Sequence, residues 1–340
     1  MATLKVTSQD VARAAGVSQP TVSRVFTPGV KVSEALEEKV RTAARELGYR
    51  PNTLARSLIT GQSMTIGLIV AYLDNPFYTE ALEKLSKTLK ERGYNIMIFM
   101  AANHASDVDG VVHDLLDHQV DGIILASVSA SSALTERLVD EGVPLILFNR
   151  GHSDKSLSSV TSANHAGGLK VAEFLVAGGH ERIAHISGWQ GASTGFERSE
   201  GFKEGLANHG LTPHAIVDGL FSREAAAAAT RGLFAGGPPP DAIFVGNDHM
   251  AFAVIEVLRT ELGIAPAKDV SVVGYDDVAL AAWPTFELTT VRQPANRMVD
   301  AVVEQLIAQI EGKSREAQHI EIDGPLIVRG SSRIPKGWGE

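Results

Sequence analysis

The chain has no cysteine among its 340 residues, which excludes disulfides and thiolate chemistry. No apolar run approaches the ~18–20 residues needed to cross a bilayer, so no membrane contact is expected. The opening MATLKVTSQD turns polar at once and lacks the apolar core of a secretory signal. There is no Walker loop, and no G-x-G-x-x-G between a strand and a helix, so nothing calls for a nucleotide cofactor. These absences agree with a cytoplasmic protein without a cofactor. A hydrophobic content of 44% is that of a folded chain, and 340 residues exceed one ordinary core and suit two or three domains.

The net charge of −9 is unevenly spread. Residues 1–60 hold nine basic residues (Lys5, Arg13, Arg24, Lys31, Lys39, Arg41, Arg45, Arg50, Arg56) against five acidic ones (Asp10, Glu34, Glu37, Glu38, Glu46), a net +4. The remainder carries −13 (22 basic, 35 acidic). A basic head on an acidic body confines phosphate attraction to the head. Within it, Thr7–Phe26 reads TSQDVARAAGVSQPTVSRVF. Thr7 and Asp10 form a helix start, Gly16 breaks the helix, and Ser18 begins a second. Two short helices joined by a Gly-containing turn make a helix-turn-helix, whose second helix can enter the major groove of duplex DNA. That helix would present Ser18, Gln19, Pro20, Thr21, Ser23 and Arg24 to base edges and phosphates, with Thr7 at the start of the unit.

A third amphipathic helix, Ser33–Leu47, should end at Gly48. Pro51 then forbids its continuation, and Asn52 can cap a short helix over 53–58. Six residues lie far below the ~12–15 of an independent helix, so this piece should fold only when packed. With VARAAGVSQPTVSRV at 11–25 and YRPNTLARSL at 49–58, the whole chain resembles the LacI/GalR (lactose-repressor) family of transcriptional regulators. VGND at 245–248, SVVGYDD at 271–277 and LTTVRQP at 288–294 extend the resemblance. It implies that two hinge helices pair in the minor groove. Asn52, Ala55 and Arg56 would belong to that contact, and Leu58 would wedge between base steps and bend the duplex.

From residue 65 strands and helices alternate. Expected strands are 66–71, 96–100, 122–126, 144–148, 183–187, 215–217, 242–246 and 270–275. Expected helices are 79–92, 108–118, 166–177, 197–209, 223–234 and 250–262. Such alternation implies parallel sheets covered by helices, and periodicity alone also admits a (β/α)8 barrel. The resemblance implies a periplasmic-binding-protein-like effector domain of two Rossmann-like lobes, crossed three times near Ser162, Arg292 and Gly324. The expected division is an all-α head at 1–48, a hinge at 49–61, and an effector-binding and dimerisation domain at 62–340. Lobe 1 would take about 62–161 and 293–323, and lobe 2 about 163–291 and 325–335. Residues 327–340 carry no heptads, which favours a homodimer over a tetramer.

In open α/β sheets ligands sit at the carboxyl ends of strands. The loops there offer Asn75, Phe77, Asn149, Arg150, Ser193, Asn247, Asp276 and Trp283, a mixture suited to a polyhydroxylated ligand. The resemblance adds Arg198, in RSEGF, as the residue that grips the effector, and places Asn247 and Asp276 facing the cleft. Two rival chemistries are present. Gly191–Gly195 fits the G-x-S-x-G of a serine hydrolase, but Ser193 lies several residues past the expected strand rather than at a sharp elbow. His104, Asp107, Asp109, His113, Asp114, Asp117 and His118 could suggest metal ligation. His113 and His118 are five residues apart and so on different helix faces, which fits a solvated helix better. The expected function is a ligand-responsive repressor that binds a palindromic operator in double-stranded DNA, with a sugar or sugar acid as effector. The alternatives are a sugar-binding protein without a transcriptional role, and a hydrolase using Ser193.

Overall fold

The computed structural model describes residues 6–27, 30–50, 61–101, 105–128, 131, 136–138, 140–151, 156–314 and 316–338. These fall into two compact units, Met1–Ser63 and Met64–Glu340.

The first unit is three helices: α1 (Ser8–Ala14), α2 (Gln19–Val25) and α3 (Glu34–Leu47). Val11, Ala15, Val22, Val25, Val40 and Ala44 close its core. Thr7 and Asp10 make a reciprocal capping box at the start of α1. The turn between α1 and α2 needs a left-handed residue, and Gly16 supplies it at φ 59°.

The second unit contains two six-stranded sheets, which rules out a closed barrel. Its described elements, in order, are β1 (Thr65–Val70), α4 (Pro76–Glu91), β2 (Asn95–Met100), α5 (Ala105–Asp117), β3 (Gly122–Ala126), β4 (Leu145–Phe148), β5 (Ser158–Ser162), α6 (Asn164–Ala177), β6 (Ile183–Ser187), α7 (Ser193–Ala207), β7 (Ala215–Asp218), α8 (Arg223–Ala235), β8 (Ala242–Val245), α9 (Asp248–Thr260), β9 (Ser271–Asp276), a 3-10 turn at Ala279–Ala282, β10 (Thr289–Arg292), α10 (Ala295–Ile310), β11 (His319–Ile322) and β12 (Leu326–Ile327). Lobe 1 is the all-parallel sheet β11-β5-β4-β3-β1-β2, and lobe 2 is β12-β10-β9-β8-β6-β7, parallel except for β12. The chain passes between the sheets three times, after β5, β10 and β11.

Central strands such as TIGLIV and AIFV are buried along nearly their whole length, as parallel strands covered on both faces must be. Sequence periodicity missed β5, because SSVTS has one apolar residue. Its hydroxyls are buried but satisfied: Ser158 Oγ accepts from Gln309 Nε2 at 2.9 Å, and Ser162 Oγ meets Tyr275 OH at 3.1 Å. Helices α4 and α9 begin two to three residues before their expected starts, because Asn75 and Asn247 cap them. Asn-Pro before an apolar run is a start signal that the apolar periodicity hid.

Helices α6 and α7 pack backbone to backbone. A Cβ at Gly201 would lie 2.7 Å from the carbonyl carbon of His165, and one at Gly168 would lie 2.8 Å from Phe202 N. This approach holds the side chains of α7 against the start of α6, beside the first crossing between lobes.

Candidate functional site

On the head, Ser18, Gln19, Pro20, Ser23 and Arg24 are exposed, and Thr21 is half-buried. Ser18 Oγ and Thr21 Oγ1 are joined at 2.8 Å, and Gln19 Nε2 donates to Ser8 Oγ at 3.1 Å. Thr7 Oγ1 donates to Asp10 Oδ2 at 2.7 Å, which lowers the Asp10 carboxyl below its usual range. Thr7 therefore serves first as a helix cap. The Arg24 side chain, in the last turn of α2, makes no hydrogen bond or ion pair among the described residues, so its guanidinium is available to an external anion. Asn52, Ala55, Arg56 and Leu58 lie outside the described residues.

In the second unit, the carboxyl ends of strands from both sheets converge on one polar cavity. Tyr72, Asn75, Tyr78, Asn149, Thr194, Arg198, Phe221, Asn247 and Asp276 line it. Arg198 lies at its base, 2% exposed. Its Nε donates to Asn164 Oδ1 at 2.9 Å and its Nη1 to Gly246 O at 2.7 Å, while the guanidinium stacks 3.6 Å from the Tyr275 ring. Asp276 Oδ1 lies 3.7 Å from Arg198 Nη1 and accepts from Gln293 Nε2 at 2.6 Å. Its other oxygen accepts from Asn75 Nδ2 at 3.4 Å, across the cleft from lobe 1. Burial raises the Asp276 carboxyl to about 6, against the opposing pull of Arg198, Gln293 and Asn75. Neighbouring Asp248 is pushed well above the carboxylate range, by burial first and then by the charge of Asp276. It accepts from Thr290 Oγ1 at 2.6 Å and from Val278 N at 3.0 Å, tying α9 to β10 and the 3-10 turn.

The lobe 1 wall is a hydrogen-bonded chain. Asn149 Nδ2 donates to Tyr78 OH at 3.0 Å, and Tyr78 OH meets Ser127 Oγ at 2.5 Å. Ser127, Asn149 and Asp276 all hold positive φ (63°, 58° and 127°). Three such non-glycine residues at strand ends around one cavity is strain of the kind that collects at functional sites. The space left among the lining side chains is about 10 Å³, which is what one water needs.

Not every expected residue reaches this cavity. Asn75, Asn149, Arg198, Asn247 and Asp276 line it. Phe77 does not. It is buried in the lobe 1 core, stacked at 6.2 Å on Phe148 of β4, so its ring packs on the sheet rather than facing a ligand. Trp283 is 56% exposed, at the end of the 3-10 turn, and does not line the cavity. Arg150 is buried over the Trp189 ring at 5.9 Å, joining the lobes beside the cavity. Ser193 is the first residue of α7, six past the end of β6, and its Oγ accepts from Gly151 N at 2.9 Å. It is thus a cross-lobe contact in a helix start, not a nucleophile on an elbow. Thr194 lines the cavity in its place.

Sequence reading missed Tyr72, Tyr78, Asn164, Phe221 and Gln293. Tyr78 was legible, three residues past Asn75 and just before the expected helix start at 79; it lies in the first turn of α4. Gln293 and Asn164 follow the crossings, and only the tertiary fold turns them to Asp276 and Arg198. No helix among the described residues is long and apolar enough to cross a membrane.

Residues 7–52 match bacterial regulatory proteins of the lacI family, and residues 172–332 match a periplasmic binding protein-like domain. The ribose operon repressor of Escherichia coli (strain K12) is 33% identical over 336 residues, spanning 98% of this chain and 100% of that protein. The solved transcriptional regulator CelR–cellobiose complex shares 32% identity at a TM-score of 0.73, over 96% of this chain and 100% of that one. The lac repressor dimer bound to operator and the anti-inducer ONPF shares 27% at a TM-score of 0.86, over 96% and 99%. A helix-turn-helix head and a two-lobe α/β domain, matched along nearly the full length of these regulators, place the chain in the LacI family of transcriptional regulators.

Proposed function

We propose that this chain represses transcription by binding a palindromic operator as a homodimer, and that a small polar effector, a sugar or sugar acid, controls it. The single observation that carries the effector half is the buried Arg198–Asp276 pair, reached across the cleft by Asn75. Such a pair, with Asn149, Asn247 and Thr194 around it, is built to bracket hydroxyl groups. The ribose operon repressor and the cellobiose complex support a carbohydrate effector, and the lac repressor dimer on operator supports the DNA half.

In this reading the head (1–48) reads a half-site, with Ser18–Arg24 in the major groove. The segment 49–61 is a hinge whose Leu58 wedges the minor groove, and 62–340 binds effector and dimerises. A cavity with room for one water must open to admit a sugar, so the effector alters how the lobes sit. That change would reach the hinge, and the coupling is reciprocal. The chain acts by binding in the cytoplasm, without catalysis or cofactor.

Fluorescence anisotropy with duplex DNA from upstream of its own gene, titrated with and without a panel of sugars and sugar acids, tests both halves. Affinity should fall steeply with salt, and at least one compound should shift it. Ligand binding without DNA binding would favour the sugar-binding alternative.

A further inference from the structure

Resting on that effector reading, we infer that the cavity selects a neutral, hydroxyl-bearing ligand over the carboxylate counterpart of the same sugar, with Asn149 as the reading acceptor on the lobe 1 wall. Charge is the first argument. Arg198 is the only cationic residue lining the cavity among the described residues, and it is already engaged by Asp276, Asn164 and the Gly246 carbonyl. Arg150, the other buried arginine nearby, is stacked over Trp189 and does not line the cavity. A ligand carboxylate would enter beside Asp276, where the one lining cation is already engaged, and like charges brought together out of water are strongly repelled.

The unused hydrogen-bonding groups point the same way. Asn149 Nδ2 is held by Tyr78, and its Oδ1 is buried without a partner. Gln293 Nε2 is held by Asp276, and its Oε1 is likewise buried and unpartnered. Asn247 Oδ1 is committed to Met250 N, which leaves its amide nitrogen for the cavity. What remains on the cavity wall is the Asn149 acceptor in lobe 1 and the Asn247 amide donor in lobe 2. A hydroxyl donates and accepts and can satisfy both, whereas a carboxylate only accepts and leaves Asn149 Oδ1 unsatisfied. Tyr78, tied to Ser127 Oγ at 2.5 Å, is a positioning residue that keeps the Asn149 amide in this orientation.

Calorimetry on the full chain with D-ribose, D-xylose, D-glucose and D-galactose, each paired with its aldonate, tests this. At least one sugar should bind, and its aldonate should bind at least about 100-fold more weakly, the scale of a like-charge clash. Asp276→Asn should narrow that ratio by about 10-fold or more, since it leaves Arg198 unmatched. Asn149→Leu should weaken the sugar by about 10-fold, the worth of one buried hydrogen bond. If Asp276→Asn does not fold, the wild-type ratio and Asn149→Leu decide. An aldonate that binds as well as its sugar overturns the charge argument while leaving an effector site in place. Unchanged sugar affinity in a folded Asn149→Leu overturns the role of Asn149. No binding by any of the eight compounds overturns the carbohydrate reading, and this inference with it.

Discussion

Gly201→Ala should destabilise the second unit, against the ordinary expectation for a helical glycine. In an exposed helix interior, replacing Gly with Ala gains up to about 1 kcal/mol of helix propensity. At Gly201 the new methyl would sit 2.7 Å from the carbonyl carbon and 3.0 Å from the Cα of His165, and would overlap the carbonyl oxygen. Carbon atoms prefer ~3.5–4.0 Å, so α6 and α7 must part by roughly 1 Å. Overpacking of this kind costs about 1–3 kcal/mol. The obstacle is backbone, which cannot rotate aside, so the upper part of that range applies. For a unit of this size a loss of about 2–3 kcal/mol is roughly 4–10 °C in Tm. Gly232 in α8 is the matched control: it is exposed, and an added Cβ meets nothing within 4 Å. Gly232→Ala should raise Tm by a degree or more. Parting α6 from α7 also moves Asn164 off Arg198, so Gly201→Ala should weaken effector binding as well. Thermal unfolding of both variants reads the two signs side by side. If Gly201→Ala is stabilised as Gly232→Ala is, the helices do not pack as closely as described and the reasoning fails.

Two further perturbations have defined outcomes. His185 is fully buried, stacked at 4.5 Å on Phe244, and burial lowers its pKa to about 4. Between about 4 and the ordinary 6.5 the unfolded chain binds the extra proton, so the stability held by neutral His185 is complete above 6.5 and lost as pH falls towards 4. The loss should reach about 3 kcal/mol by pH 4. Asp276 acts oppositely: its raised pKa gives stability that is complete below 3.8 and lost as pH rises through about 6. Urea unfolding of wild type and His185→Leu at pH 7.5 and 4.5 separates the two, and equal pH dependence in both proteins would discard the histidine account. On the head, Arg24→Ala should reduce operator affinity by about 1–3 kcal/mol, measured by anisotropy. Unchanged affinity would remove Arg24 from the interface.

Local chemistry was readable from the chain alone. Thr7 with Asp10, Gly16 and the apolar set Val11, Ala15, Val22 and Val25 specify the head, because capping and 3.6-residue periodicity act over a few neighbours. The apolar runs at 66–71, 122–126 and 242–246 marked parallel strands for the same reason, and the strands form within a residue of those bounds. Asn75, Asn149, Asn247 and Asp276 were found because they follow such strands. The partners of those residues were not readable. Phe77 and Tyr78 are adjacent in sequence, yet one fills the core and the other lines the cavity, since successive helical residues point about 100° apart and only packing says which face is inward. Polar β5 forms a strand because neighbours on both sides satisfy its hydroxyls. Asn75 and Asp276 are 201 positions apart and meet because three crossings bring the two sheets end to end. Contacts that depend on long loop closure leave no periodic trace in the sequence, so only the tertiary structure decides them.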